Sequence, residues 1–247
     1  VPFAGVYGGT AGAGSVLGWD RSVGENPAVL GRPGWSVAVA GYAPFGLADL
    51  RRVDASAAWD RERWGLSASY GGTFAPEAGR TGEVADAALG FQSAMKLRQG
   101  LTAGIAGLYQ AAPGNSGAGI SGGLLWRPRP WGGLGGFWSA EETRWGREAR
   151  AGIGVDGGFG FSGMAVRLGA EALHGGARWE TRFAAGLQLH ALLSLYLGWD
   201  PPRRTAALGA RFGIGGWEGY SAMRRHAALG GTSVQGIRWR DAPVAGP

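Results

Sequence analysis

The feature that most constrains this chain is a period-two alternation of side chains, sustained over runs longer than an ordinary globular strand. In ARWETRFAAGLQLHA, residues 177–191, one face collects Trp179, Thr181, Phe183, Ala185, Leu187 and Leu189. The other collects Arg178, Glu180, Arg182, Ala184, Gly186, Gln188 and His190. Successive side chains of a strand point to opposite faces, so this is a strand with one greasy and one polar face. The same pattern fills EARAGIGVDGGFGF, SGMAVRLGAEALH, LLSLYLGWD and RTAALGARFGI, and it recurs in VDASAAWD and EVADAALGFQSAMKL. Leu193, Leu195 and Leu197 share a greasy face in one of these runs, and Phe212 lies on the greasy face of another.

Turn residues punctuate the runs at Asp60–Arg63, Arg98–Gly100, Pro113–Ser116, Pro128–Pro130, Gly175–Gly176 and Pro201–Pro202. Cutting there predicts about fourteen strands: 34–43, 47–60, 63–72, 83–97, 100–111, 117–127, 131–142, 148–160, 162–174, 177–190, 192–200, 203–214, 216–224 and 231–240. Connections are short, the longest being about a dozen residues near GGTFAPEAGRTG. The chain divides into a Gly-rich segment 1–32 without alternation, a β-region 33–240 and a tail 241–247. It opens without Met, as a processed, exported chain would, or a trimmed one.

Two solvents compete for the greasy face. A soluble sandwich or barrel would pack it into a core. Three features favour lipid. The non-greasy face is mostly Gly, Ala and Ser with sparse charge; charged residues are 17% of the chain and Gly numbers 50, against a usual ~25% charged and ~7% Gly. Trp59, Trp64, Trp126, Trp131, Trp145, Trp199, Trp217 and Trp239 sit near strand ends, where an indole keeps its ring in hydrocarbon and its N–H in a wet layer. The strands also match a tilted membrane crossing in length. Strands cross lipid only as a closed barrel, because every backbone group must be paired. The reading is therefore an all-β, up-and-down antiparallel transmembrane barrel of about fourteen strands, integral to the outer membrane of a diderm bacterium.

Trp179, Phe183, Leu187, Leu189, Leu193, Leu195, Leu197 and Phe212 are then expected to face lipid. Arg52, Asp54, Asp86, Lys96, Arg127, Glu141, Arg150, Asp156, Arg167, Glu171, Arg178, Glu180, Arg182, Arg203 and Arg211 are expected to face the lumen. Both signs are interspersed, which favours cross-linking of the wall over an ion filter. Small inward residues cannot fill a barrel this wide. Either the lumen is open, or residues 1–32 enter it as a plug or hatch anchored by Trp19, Asn26 and Pro27.

Other chemistries fare poorly. With no Cys, thiol catalysis and Cys-ligated metals are excluded. The net charge of +6 comes from scattered arginines, with Lys96 the sole lysine, and no nucleic-acid motif accompanies them. Gly12, Gly14 and Gly18 mimic a phosphate loop without its flanking elements or its Lys. His174, His190 and His226 lie apart and lack metal-ligand spacing. Ser194, His190 and Glu171 fall on neighbouring strands, a bare geometric possibility of a hydrolase triad. The expectation is no enzyme, no cofactor and no metal. RWGREAR and AMRRHA read as rim charges that meet lipid head groups.

Both ends of the chain look familiar. VYGGTAGAGSVLGWDRSVGENPAVLG, with Asn26-Pro27-Ala28 just before the first strand, resembles the N-terminal segment of the long-chain fatty-acid transporter superfamily. YSAMRRHAALGGTSVQGIRWR, with His226, Leu229-Gly230 and Thr232 around a turn, is similar to the last hairpin of PorV-type barrels of that superfamily. It departs in having Ala227 where such barrels often carry Pro, and in running past Trp239 into RDAPVAGP. The resemblance covers about a fifth of the chain and implies a fourteen-stranded barrel with an N-terminal hatch.

Members of that superfamily divide between transport of hydrophobic molecules and service as adaptors for surface machinery. Short loops and a paired-charge lumen put first a non-enzymatic membrane anchor or scaffold for a surface, secretion or motility complex. The alternative is a narrow passive transporter for small, apolar compounds. Expected partners are outer-membrane lipid and lipopolysaccharide and, for the scaffold, other envelope proteins; nucleic acid is not among them.

Overall fold

The computed structural model describes residues 26–29, 33–43, 51–75, 83–112, 115–129, 132–143, 146–176, 178–190, 192–228 and 230–241. Trp19, Trp131, Trp145 and the Gly12–Gly18 stretch lie outside them. Fourteen strands run in chain order: β1 Gly34–Ala43, β2 Arg51–Asp60, β3 Trp64–Ala75, β4 Glu83–Arg98, β5 Leu101–Ala112, β6 Asn115–Arg129, β7 Gly132–Thr143, β8 Gly146–Phe161, β9 Met164–Gly175, β10 Arg178–His190, β11 Leu193–Asp200, β12 Thr205–Ile214, β13 Trp217–His226 and β14 Gly230–Arg240. Each pairs antiparallel with its sequence neighbour, and β1 pairs antiparallel with β14, so the sheet closes into a barrel. Closure pairs every strand on both sides and leaves no edge, as hydrocarbon demands.

Local sequence explains most boundaries. Ser162 and Gly163, both at positive φ (48° and 79°), make the two-residue turn between β8 and β9; this turn matches the twist of the strands it joins. Most described boundaries fall within two residues of expectation. β3, expected to end at 72, continues through Gly71, Gly72, Thr73 and Phe74 to Ala75, and residues 47–50 of the expected β2 lie outside the described residues. The glycines of GGTF are therefore ladder positions rather than part of the expected dozen-residue connection; residues 76–82 lie outside the described residues.

Connections at the end that holds Gly34 and Arg240 span two or three residues, whereas residues 44–50 and 76–82 link strands at the other end. Short periplasmic turns and longer external loops make the first end periplasmic.

The register separates the faces. On β1, Trp35, Val37 and Val39 are exposed outward, while Ser36, Ala38, Ala40 and Tyr42 turn inward. Outward rungs hold Trp179, Phe183, Leu187, Leu193, Leu195, Leu197 and Phe212, while Leu189 is exposed at a bulge of β10 and has no ladder partner. Trp59, Trp64, Trp126 and Trp239 point outward near the periplasmic end, and Trp199 does so near the outer one. Trp35 stacks on Trp59 (5.5 Å, 8°), and Trp64 meets Trp59 edge-on at 4.9 Å. Arg61 lies over the Trp59 ring at 5.0 Å. Such a girdle suits the interface, where rings meet acyl chains and cations meet head groups.

Candidate functional site

The inner wall carries two kinds of structure: ion pairs that brace it, and a notch that holds a turn of the N-terminal segment. The charged residues expected in the lumen that lie on strands fall on inward rungs, except Arg127, which sits in a register shift of β6 between Trp126 and Arg129; Arg203 falls in the β11–β12 turn. Near the outer end, Arg52 Nε donates to Asp54 at 2.9 Å, and its Nη1 approaches Asp86 at 3.5 Å and Thr73 at 3.3 Å. Arg182 contacts Asp200 at 3.4 Å and Glu180 at 3.7 Å, while Arg203 reaches Glu180 at 3.0 Å and Asp200 at 3.8 Å. Glu171 stands opposite Arg182 across β9 and β10. Arg150 pairs with Glu148 at 2.9 Å. Lower down, Arg167 pairs with Asp156, and Arg127 reaches toward the same carboxylate across Gly133. Lys96 and Arg178 occupy inward strand ends. Opposite signs face each other on neighbouring strands, so the wall is cross-linked, and the described residues present no ring of one sign.

Apolar and aromatic groups also point inward, more than the Gly/Ala pattern suggests. Tyr42, Tyr196 and Tyr220 cluster with Ala40, Ala222 and Val234. Tyr220 lies over Gly236, where a Cβ would collide with its ring. Arg211 covers Tyr196 at 5.8 Å. Phe137 and Leu173 meet over Gly152 in the same way. The inward glycines thus leave room for a neighbour's ring, a relation that only the cross-strand register reveals.

The notch lies on β4, β5 and β6. Asn26 Oδ1 accepts the Ala28 N–H at 2.9 Å, the turn that Asn side chains favour, and Pro27 restricts the φ that follows. Asn26 Nδ2 donates to the Leu124 carbonyl at 3.0 Å. Gln92 Nε2 donates to the Pro27 carbonyl at 2.7 Å, and the Thr102 hydroxyl donates to the Ala28 carbonyl at 2.7 Å. Ala28 and Val29 pack on Leu125. Gly104 and Gly123 stand opposite each other on β5 and β6; a Cβ on the first would strike the Pro27 carbonyl, and one on the second the Asn26 amide. Asn26 and Ala28 are fully buried. The sequence points to Asn26 and Pro27 but not to their receptors, Gln92, Thr102, Gly104 and Gly123. Adjacent inward glycines were the available signal, and only the register shows that they adjoin.

The triad possibility is not assembled. A bulge between Gln188 and His190 puts His190 opposite Leu193, and its Nδ1 accepts the Leu192 N–H at 3.3 Å. Ser194 sits inward between Gln188 and Arg211. The bulge moves His190 off the polar face that simple alternation assigns it.

No family model matches the chain, and no curated protein sequence does. Solved structures do match in fold. The toluene transporter TbuX of Ralstonia pickettii superposes with a TM-score of 0.61 at 11% identity, covering 94% of this chain and 98% of its own. The monoaromatic hydrocarbon channel CymD gives 0.61 at 11%, covering 97% and 99%. The outer-membrane protein Omp33 of Acinetobacter baumannii gives 0.57 at 10%, covering 84% and 98%. The chain is an integral outer-membrane β-barrel of this fourteen-stranded kind.

Proposed function

We propose that the chain is a passive channel for small apolar compounds, closed in part by the turn at residues 26–29. The observation that carries this reading is how the turn is held. It rests in a notch of the inner wall through hydrogen bonds from Gln92, Thr102 and its own Asn26, without a single ion pair among them. Such a closure can leave without stranding a buried charge.

The fold comparisons support passage of apolar solutes. Two barrels of the same fold are a toluene transporter and a monoaromatic hydrocarbon channel. The anchoring role that the sequence puts first draws no comparable support.

The test is uptake of toluene and of a sugar of similar size into proteoliposomes holding the full chain. Toluene uptake above that of empty vesicles, with little sugar flux, is expected. Absence of flux together with a stoichiometric envelope partner on purification would return the scaffold to first place.

A further inference from the structure

A polar spot sits where the barrel should be most apolar. Between the periplasmic and outer rims of the seam, the register defines five outward rungs across β12, β13, β14 and β1. The lowest is Ile214–Trp217–Trp239–Val37, and the next is Phe212–Gly219–Ile237–Val39. The highest holds Ala206, Arg225 and Gly231, beside Trp199 on β11. Aromatic and cationic side chains therefore mark both edges of the hydrocarbon layer. The middle rung is Ala210–Ser221–Gln235–Gly41.

Gln235 and Ser221 are exposed on the outer face, and Ser233 is exposed one rung above. Gln235 lies four residues from Trp239. At ~3.3 Å per residue and a tilt of about 40°, that is roughly 10 Å into an apolar band ~25 Å tall. An amide there meets acyl chains and finds no water, so its donors and acceptor go unpaired unless another molecule supplies partners. Placement of this residue follows from backbone register, because β1 and β13 flank β14 and fix which way Gln235 points.

We propose that this seam is a docking face for a second copy of the chain, related by a two-fold axis that passes between Gln235 and Gly41. The argument for a copy is self-complementarity. The exposed Gln235 side chain stands directly across the β14–β1 ladder from Gly41, and a Cβ at Gly41 would meet nothing within 4 Å. Knob and open space lie side by side, so a two-fold rotation sets each copy's amide beside the other's glycine. An amide carries both donors and an acceptor and satisfies itself in such a pair. Ser221 and Ser233 can add hydroxyl contacts, and Ala210 and Gly41 let the walls approach. Membrane segments associate by this combination of small residues and polar contacts, where apolar burial alone gives no preference over lipid.

The experiment reconstitutes the full chain in lipid vesicles and follows subunit number by single-molecule photobleaching over a protein-to-lipid dilution series. A wild-type dimer is expected. Gln235→Leu and Gly41→Leu should each weaken association at least about tenfold, equivalent to ~1.4 kcal/mol. Ile153→Ala, on the outer face of β8, should leave association unchanged. Heat-modifiable gel mobility shows that each variant is folded before it is counted. A monomeric wild type overturns the proposal, as does a dimer indifferent to both Leu variants. A seam occupied only by a different envelope protein overturns it as well. If Gln235→Leu merely raises the melting temperature of a monomer, the amide faces lipid alone.

Discussion

Substituting Gly123 by Val should release the turn at residues 26–29, and the structure sets the size of the effect. Three hydrogen bonds tie the turn to the wall: Asn26 to Leu124 at 3.0 Å, Gln92 to Pro27 at 2.7 Å and Thr102 to Ala28 at 2.7 Å. At about 1 kcal/mol net each they contribute ~3 kcal/mol. Burying Val29 and Ala28 against Leu125 adds roughly 2 kcal/mol. Ordering four residues costs about 4–8 kcal/mol. The docked and released states therefore lie within about 3 kcal/mol of each other by these figures. A branched side chain at Gly123 collides with the Asn26 amide and crowds the Pro27 ring, so the turn must leave its seat or shift in it. Milder changes move the balance by steps. Thr102→Val or Gln92→Leu removes one hydrogen bond, about 1 kcal/mol, and shifts the docked-to-released ratio about fivefold.

The chain has no Cys, so Ala28→Cys supplies a single reporter at a buried position. In the Ala28→Cys background, maleimide labelling should accelerate about fivefold with Thr102→Val. It should approach the rate of an unprotected thiol with Gly123→Val, and toluene uptake should rise in parallel. The melting temperature of the barrel should hardly move, because no ladder hydrogen bond is lost. Unchanged labelling in Gly123→Val would refute the docking argument. Faster labelling without altered uptake would keep the docking but remove its gating role.

Three further outcomes follow from the wall. Asp200→Ala leaves Arg182 and Arg203 short of a buried counter-charge and should cost about 3–5 kcal/mol in denaturant unfolding from detergent; Asp200→Asn should recover part of this. Leu195→Arg places a cation on the outward face of β11, in the rung of Ala210, Ser221 and Gln235, and should destabilise by ~2–4 kcal/mol near the bilayer midplane, whereas Ser121→Arg, inward on β6, should be nearly neutral; equal costs would show the faces to be misassigned. Trp59→Ala breaks both the stack on Trp35 and the edge contact with Trp64 and should lower unfolding stability by about 1–3 kcal/mol, from ~0.5–1.5 kcal/mol per aromatic pair, as read by the denaturant midpoint with an unchanged slope.

The sequence by itself determined the strands and the sign of each face. Alternation is a property of neighbours two residues apart, and turns such as Ser162-Gly163 are local, so all fourteen strands were legible within a few residues. The greasy face implied lipid because backbone pairing leaves no other way across. Tertiary structure alone decided which residues adjoin between strands. It set Gly104 beside Gly123 as the seat of Asn26 and Pro27, laid Tyr220 over Gly236, and drew His190 out of line through one extra residue. It also closed β1 on β14, bringing Gly41 to Gln235 across nearly two hundred positions of chain. A strand's own residues say which way each side chain points, but nothing in them specifies the offset to its partner. That offset is fixed only when the ring shuts and every ladder must be satisfied at once.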